Sequence, residues 1–239
     1  MYPKEQAKNA IHICWGERPA RNLVNAGVSV ENVIITGPIH MDLLRPKYIK
    51  YFFNRKTLFE KYKLDSNKHT ILFISSFVYS NLTERQILEL AKAWGMDWVI
   101  NRQKLTIDSF NELMIWFEEL LSNNENINLI YRPHPAENGN NKLLEMQRRF
   151  KNFRVISEYS VKQWILTCDT ILTWISTSIA EAYFAGKTCT ILRPSKIPLE
   201  EEITVLASSN AVNRIEDFLP IAYDKNVNSI NKEIIESYY

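Results

Sequence analysis

Apolar residues along this chain fall into short continuous runs, separated by longer stretches in which apolar residues recur every three or four positions. Runs such as 127–131 and 169–173 are of the length and composition typical of parallel strands that are buried on both faces. The stretches between them have the spacing of amphipathic helices that pack on a sheet. The alternation predicts an α/β fold, a Rossmann-like parallel sheet with helices on both faces.

From residue 69 onwards this alternation continues to the end of the chain. The predicted strands are 70–75, 127–131, 153–156, 169–173 and 189–193. The predicted helices are 83–93, 108–121, 141–150, 161–167, 177–185, 200–208, 214–219 and 227–237. Together they predict a C-terminal Rossmann-like domain over residues 69–239.

The first 45 residues form a separate, shorter α/β pattern, with strands at 10–15 and 33–37 and a helix at 17–26. Two strands are too few for a free-standing sheet of this type. We therefore expect residues 1–45 to be a remnant of an N-terminal Rossmann-like domain, in a chain that is a truncated form of a longer protein. The intervening residues 46–68 are rich in Lys, Arg, Tyr and Phe, and they are predicted to form a linker helix.

Composition narrows the classes of function. The chain has 239 residues, 46% of them hydrophobic, and a formal charge of +2, which is too mild to indicate a nucleic-acid partner. Its three cysteines lie far apart, as reduced core thiols of a cytoplasmic protein do, and no Cys/His cluster indicates a metal. No apolar run approaches the roughly 20 residues of a membrane span. The basic and aromatic stretch 45–63 leaves peripheral association with the inner face of the cytoplasmic membrane open.

The first candidate binding element follows strand 127–131. His134 lies between two prolines, which hold the loop extended and remove two backbone donors. Such a loop places the His134 imidazole and the neighbouring Arg132 guanidinium above the edge of the sheet, where both can donate to phosphate oxygens. A capping role for His134, and an ion pair between Arg132 and Glu137, are the structural alternatives.

The second candidate element follows strand 169–173. Ser176, Thr177 and Ser178 come where the strand turns into a helix, so their hydroxyls and the free backbone amides are placed to bind an anion. Glu181 lies one turn further along on the same side, where its carboxylate can accept hydrogen bonds from a ribose. Simple helix capping, and an exposed acid that complements the helix dipole, remain open as alternatives.

Three further residues are weaker candidates. Ser75 and Ser76 end the strand 70–75 and are placed to form another anion-facing turn. His40 would face an inter-domain cleft. No catalytic residue is identified, because the sequence has no Gly-x-Ser-x-Gly elbow, phosphate-loop lysine motif or Gly-x-Gly-x-x-Gly fingerprint.

Together these motifs resemble the C-terminal, donor-binding domain of GT-B glycosyltransferases, in particular the bacterial enzymes that build capsule, lipopolysaccharide and other surface carbohydrate. The resemblance covers about residues 69–195. It rests on Arg132 to Pro135, Cys168-Asp169, Ser176 to Ser178, Glu181-Ala182 and Gly186-Lys187. Residues 27–44 are similar to the last strand and linker of the N-terminal domain of such enzymes.

The resemblance implies that His134 and Ser176 to Ser178 contact the donor phosphates and that Glu181 lies near the ribose. It implies a nucleotide-activated sugar carrying UDP, GDP, CMP or CDP as substrate, a glycan or lipid-linked acceptor, and no cofactor. The family's acceptor domain and usual catalytic base lie largely upstream of Met1, so turnover by this chain alone is left open. A UDP-sugar 2-epimerase is disfavoured because Thr177-Ser178 stands where those enzymes have two glycines, and a non-catalytic nucleotide-sugar-binding module is the third alternative.

Overall fold

The computed structural model describes residues 4–198, 201–206, 210–223 and 227–239. Its strands are β1 His12–Cys14, β2 Val33–Ile35, β3 His69–Ile74, β4 Ile127–Arg132, β5 Phe153–Val155, β6 Thr170–Thr173, β7 Cys189–Leu192 and β8 Ala211–Val212. Its α-helices are α1 Glu17–Asn25, α2 Pro46–Ile49, α3 Arg55–Lys61, α4 Glu84–Trp94, α5 Met96–Ser122, α6 Asn141–Arg149, α7 Val161–Thr167, α8 Ile179–Phe184, α9 Ile215–Ile221 and α10 Lys232–Tyr238.

The larger sheet has six parallel strands in the order β5-β4-β3-β6-β7-β8. From the central strand β3 the chain moves outward through β4 and β5, then returns to the other side of β3 to form β6, β7 and β8. This is the doubly wound order, in which the crevice for a ligand opens where the strand order reverses. The reversal lies between β3 and β6. The predicted α/β class and parallel sheet are confirmed.

Aromatic packing joins this sheet to its longest helix. The strands β3 and β4 are buried almost throughout, and Phe117 of α5 meets Phe73 of β3 edge to face at 5.0 Å between ring centroids. Phe77 stacks on Trp174 at 4.5 Å, just beyond the ends of β3 and β6. Burying each such side chain stabilises the fold by about 1.5–3 kcal/mol, so the sheet's carboxyl edge rests on a firm core.

The strands β1 and β2 form a separate two-stranded parallel sheet, as the early apolar runs predict. The C-terminal helix α10 returns to this part of the chain and packs against α1. A Cβ atom on Gly16 would lie 2.7 Å from the carbonyl carbon of Tyr238, so only glycine allows this approach. The rings of Trp15 and Tyr239 stack nearby at 6.0 Å.

The segment 46–68 contains two short helices, α2 and α3, instead of the single linker helix that was predicted. Asn54 interrupts it, because its side chain caps the start of α3 by accepting from the Thr57 backbone N–H. Arg55 ties α3 to the larger sheet by donating to the Thr167 carbonyl at 2.7 Å and to Asp169 at 2.9 Å. The basic character of this segment therefore serves, in part, to anchor it to the sheet.

Other elements also differ from the predictions; the helix predicted at 227–237 is α10, which begins at Lys232. The helix α5 begins at Met96, twelve residues before the predicted start, although Met96, Val99 and Ile100 in its first turns have helical spacing. The strand β8 has only two residues and was not predicted. Within residues 201–206 the predicted helix 200–208 is one 3-10 turn, Thr204–Leu206, while residues 200, 207 and 208 lie outside the described part of the chain.

Candidate functional site

The two predicted binding elements lie at the same edge of the larger sheet. Parallel strands place their carboxyl ends together, and His134 follows β4 while Ser176 follows β6, with β3 as the one strand between them. The ends of β3 and β6 are joined by a hydrogen bond in which the Ile175 backbone N–H donates to the Ser76 Oγ at 3.2 Å. Ser76 thus holds the two sides of the crevice together.

The orientation of His134 follows from a contact within its own loop. The side chain is exposed, and its Nδ1 accepts a hydrogen bond from the Ala136 backbone N–H at 3.1 Å. A ring nitrogen that accepts carries no proton, so in the neutral imidazole the proton is assigned to Nε2. His134 therefore presents an N–H donor to solvent at the carboxyl edge, as a phosphate contact requires.

The Glu137 side chain connects the loop of His134 to the ends of β3 and β4. Its carboxylate accepts from the Ser75 hydroxyl at 2.6 Å, from the Tyr131 hydroxyl at 2.5 Å and from the His134 backbone N–H at 3.3 Å. Burial, and then the charge of Glu137, raise the pKa of Tyr131, so its hydroxyl stays protonated and donates. Ser75 is itself buried within this network rather than facing the crevice opening.

The Arg132 side chain contacts the loop that follows β5. Its guanidinium donates to the backbone carbonyls of Ile156 at 3.2 Å, Glu158 at 2.8 Å and Tyr159. Burial lowers its pKa somewhat from the usual arginine value. In this arrangement Arg132 supports the loop after β5, and the ion pair with Glu137 that the sequence allowed is replaced by the partners just described.

The hydroxyl-rich tip, Ser176 to Ser178, directly precedes α8. A hydrogen bond to its first residue orders it. The Ser176 Oγ accepts from the Ser178 backbone N–H at 3.2 Å, while Thr177 is exposed. Ser178 is the residue that precedes the helix, and its side chain makes no capping hydrogen bond. Ser176 therefore orders the turn, and the Ser178 side chain is not used to cap the helix.

Glu181 has protein neighbours that its predicted ribose role did not anticipate. One carboxylate oxygen lies 3.5 Å from the Lys162 ammonium, and both side chains are largely buried. Tyr239 is also close, since burial and then the charge of Glu181 raise the pKa of this tyrosine to about 12. A ribose at Glu181 would have to share the carboxylate with Lys162.

His40 lies in the 3-10 segment Ile39–Leu44, which contacts α8 from the side of the smaller sheet. Its exposed ring is 5.1 Å from the ring of Trp15. The structure thus brings His40 toward the helix that follows the hydroxyl-rich tip. The sequence analysis did not foresee the network of Tyr131, at the end of β4, with Glu137, which it considered only as a partner of Arg132; the closeness of both residues to His134 in the chain was the available signal.

A second concave surface lies at the opposite edge of the larger sheet. This groove has a volume of about 640 Å³ and includes Lys63, Lys68 and Arg149 among its lining residues. It lies at the amino ends of β3, β4 and β5, where the doubly wound topology does not place a ligand. We therefore assign the candidate site to the carboxyl edge.

Two further findings concern metal binding and membrane-spanning helices. Across residues 4–198, 201–206, 210–223 and 227–239, no three His, Cys, Asp or Glu side chains are grouped so that they could hold a metal ion. Within the same ranges, no helix is both long and apolar enough to cross a membrane.

Comparison with known proteins gives the fold and no closer relationship. No family model matches the chain, and no curated protein matches its sequence. A candidate UDP-N-acetylglucosamine 2-epimerase from Listeria monocytogenes matches with a TM-score of 0.53 and 15% identity, over 95% of this chain and 53% of that chain. A variant of the wall teichoic acid polymerase TagF matches with a TM-score of 0.51 and 12% identity, over 95% of this chain and 50% of that chain.

The same TagF variant with CDPG matches with a TM-score of 0.50 and 11% identity, over 95% of this chain and 48% of that chain. The chain therefore spans about half the length of the solved structures it matches. It has an α/β fold that matches half of a GT-B-type protein. An epimerase and a polymerase match almost equally well. The structural similarity therefore defines the fold and does not identify a reaction.

Proposed function

We propose that this chain binds a nucleotide-activated sugar at the carboxyl edge of its six-stranded sheet, as the donor-binding part of a glycosyltransferase for bacterial surface polysaccharide. The observation that carries the proposal is the placement of the His134 Nε2–H donor and the Thr177-Ser178 hydroxyls on the two sides of the reversal point between β3 and β6. Crevices at that point bind nucleotides in doubly wound sheets.

The chemistry of the site suits a phosphate group. The imidazole N–H and the two hydroxyls are hydrogen-bond donors, and a fixed set of donors stabilises the negative charge that develops on a departing nucleotide. The CDPG in the TagF structure and the name of the Listeria protein also point to nucleotide-linked substrates. We propose a cytoplasmic location, at the inner face of the membrane, because nucleotide donors and lipid-linked acceptors meet there.

Arg132 and Glu181 keep supporting roles in this proposal. Arg132 holds the loop after β5 through backbone carbonyls, so its charge contributes to the potential at the crevice without direct contact. Glu181 accepts hydrogen bonds from the ribose hydroxyls and shares its carboxylate with Lys162, which lies 3.5 Å away. The division into a segment 1–45, a linker 46–68 and a donor-binding domain 69–239 is likewise part of the proposal.

Calorimetric titration with UDP, GDP, CMP and CDP tests the proposal. The parent protein should bind at least one of them more tightly than about 1 mM, and His134→Ala and Ser178→Ala should each weaken that binding about tenfold, the effect of losing one hydrogen bond to a charged group. The matched control is His12→Ala, because His12 lies in β1 and its ring contacts the Ala7 carbonyl. Unchanged binding in both site variants would refute the assignment.

A further inference from the structure

Two buried ion pairs lie beside the candidate site at the carboxyl ends of β6 and β7. Arg102, in the second turn of α5, has its guanidinium carbon 5.9 Å from the ring centroid of Trp174, which directly follows β6. Arg193 directly follows β7. Arg102 is therefore close to the end of β6, which leads into the hydroxyl-rich tip, and Arg193 lies at the end of the adjacent strand β7.

Adjacent carboxylates hold both arginines. The Arg102 Nη1 lies 2.8 Å from a Glu201 carboxylate oxygen, and the Arg193 Nη2 lies 3.1 Å and 3.2 Å from the two oxygens of Glu202. These are desolvated pairs, since the Arg102 and Arg193 side chains are only 11% and 9% exposed. Because the carboxylates come from consecutive residues, one short segment neutralises both cations.

The pairing leaves Arg193 incompletely bonded. Its Nη1 is buried and has no hydrogen-bond partner within the described residues. Burial lowers the pKa of Arg193, and the nearby charge of Arg102 acts in the same direction. A guanidinium has five donors in a planar fork that suits phosphate oxygens. Two neighbouring cations, one with an unused donor, therefore present more donors than Glu201 and Glu202 accept from.

We propose that Arg102 and Arg193 form a diphosphate-binding wall of the crevice, and that Glu201 and Glu202 occupy this wall as internal competitors until a nucleoside diphosphate displaces them. The proposal rests on the proposed function, since it adds a regulatory contact to the same donor site. In this arrangement a ligand that carries a diphosphate gains the two arginines, whereas a nucleoside monophosphate reaches fewer of their donors.

The test compares charge-neutral variants of the two carboxylates. Glu201→Gln and Glu202→Gln keep the shape of each side chain but remove the competing charge, so the double variant should bind CDP and inorganic pyrophosphate about tenfold more tightly than the parent protein. Each single variant should show about a threefold gain, which keeps the test available where the double variant folds poorly. Arg102→Gln should lose about tenfold in CDP affinity.

The matched control is Glu89→Gln, because Glu89 pairs with Lys92 on the exposed face of α4, and its affinity for CDP should equal that of the parent. Thermal unfolding shows whether the ion pairs of Glu201 and Glu202 only stabilise the fold or whether these carboxylates compete with a diphosphate for the arginines. If the glutamine variants unfold earlier and bind CDP no more tightly, while His134→Ala still weakens binding, the inference is overturned and the donor site stands. If no nucleotide binds any of these proteins, the donor site itself fails.

Discussion

At the residue scale, Glu137 determines where the proposed His134 contact lies. Its carboxylate accepts hydrogen bonds from two side-chain hydroxyls and from the backbone N–H of His134, so it joins the end of β3, strand β4 and the loop that follows β4. Glu137→Gln leaves one acceptor oxygen where there were two, and it should lower the free energy of unfolding by about 1–3 kcal/mol. Chemical denaturation measures this loss.

The control for that measurement is Glu89→Gln on the exposed ion pair of α4, which should change stability by less than about 0.5 kcal/mol. A Glu137 variant as stable as this control would show that the network does not support the loop.

The two buried thiols of the larger sheet predict a pH dependence. Burial raises the pKa of Cys168 and of Cys189 to about 12, whereas the same thiols ionise near about 8.5 in the unfolded chain. The unfolded state therefore loses protons first as the pH rises, so this contribution to stability is complete below about pH 8.5 and is lost towards about pH 12. Denaturation at increasing pH should show the decline.

A double variant, Cys168→Ala with Cys189→Ala, separates these thiols from other titrating groups. Its baseline stability should be lower because of the cavities, but its stability should fall less steeply with pH than that of the parent. Equal slopes would contradict the assignment of the decline to the two thiols.

The residue scale also marks the limit of what the sequence could predict about the site. The sequence places His134 and Ser176 to Ser178 at strand ends, and that placement follows from the strand pattern alone. It cannot assign partners to Glu137, Arg132 or Ser75, since each partner lies on another strand or loop and is fixed by packing.

At the element scale, Gly95 is the single residue between the helices α4 and α5. It adopts φ +83° and ψ 148°, a region that is nearly restricted to glycine, and a Cβ there would meet no atom within 4 Å. Gly95→Ala should therefore lower the free energy of unfolding by about 1–3 kcal/mol through backbone strain alone.

Gly139→Ala is the matched control, because a Cβ there also meets no atom within 4 Å and the residue is outside the positive-φ region. Denaturant unfolding of the two variants isolates the backbone effect, and equal stability would contradict the strained conformation at Gly95.

Elements were predicted well where apolar runs are long. The strands β3, β4 and β6 were placed within one or two residues, since each is a continuous buried run. The strand β8 was missed because two residues are too short for a periodic signal. The first turns of α5 were missed although Met96, Val99 and Ile100 have helical spacing, so the sequence signal was present there.

At the scale of the whole molecule, the C-terminal helix connects the two ends of the chain. A Cβ on Gly16 would lie 2.7 Å from the carbonyl carbon of Tyr238. Because that carbon belongs to the backbone, it cannot move away as the end of a flexible side chain could. Gly16→Ala should force α10 away from α1 and lower the free energy of unfolding by about 1–3 kcal/mol, as overpacking does.

Hydrogen exchange provides the second measure of this contact. The amides of 235–239 should exchange faster in Gly16→Ala than in the parent, while those of β3 and β4 should not change. Unaltered exchange at 235–239 would show that α10 does not depend on the Gly16 approach.

The proposed function requires that an anionic nucleotide binds at the carboxyl edge of the six-stranded sheet. Mapping the position of the bound nucleotide measures this. Hydrogen exchange with and without saturating CDP should show protection at 134–137 and 175–178, on the two sides of the reversal point. Protection confined to the opposite groove, around Lys63, Lys68 and Arg149, would contradict the account.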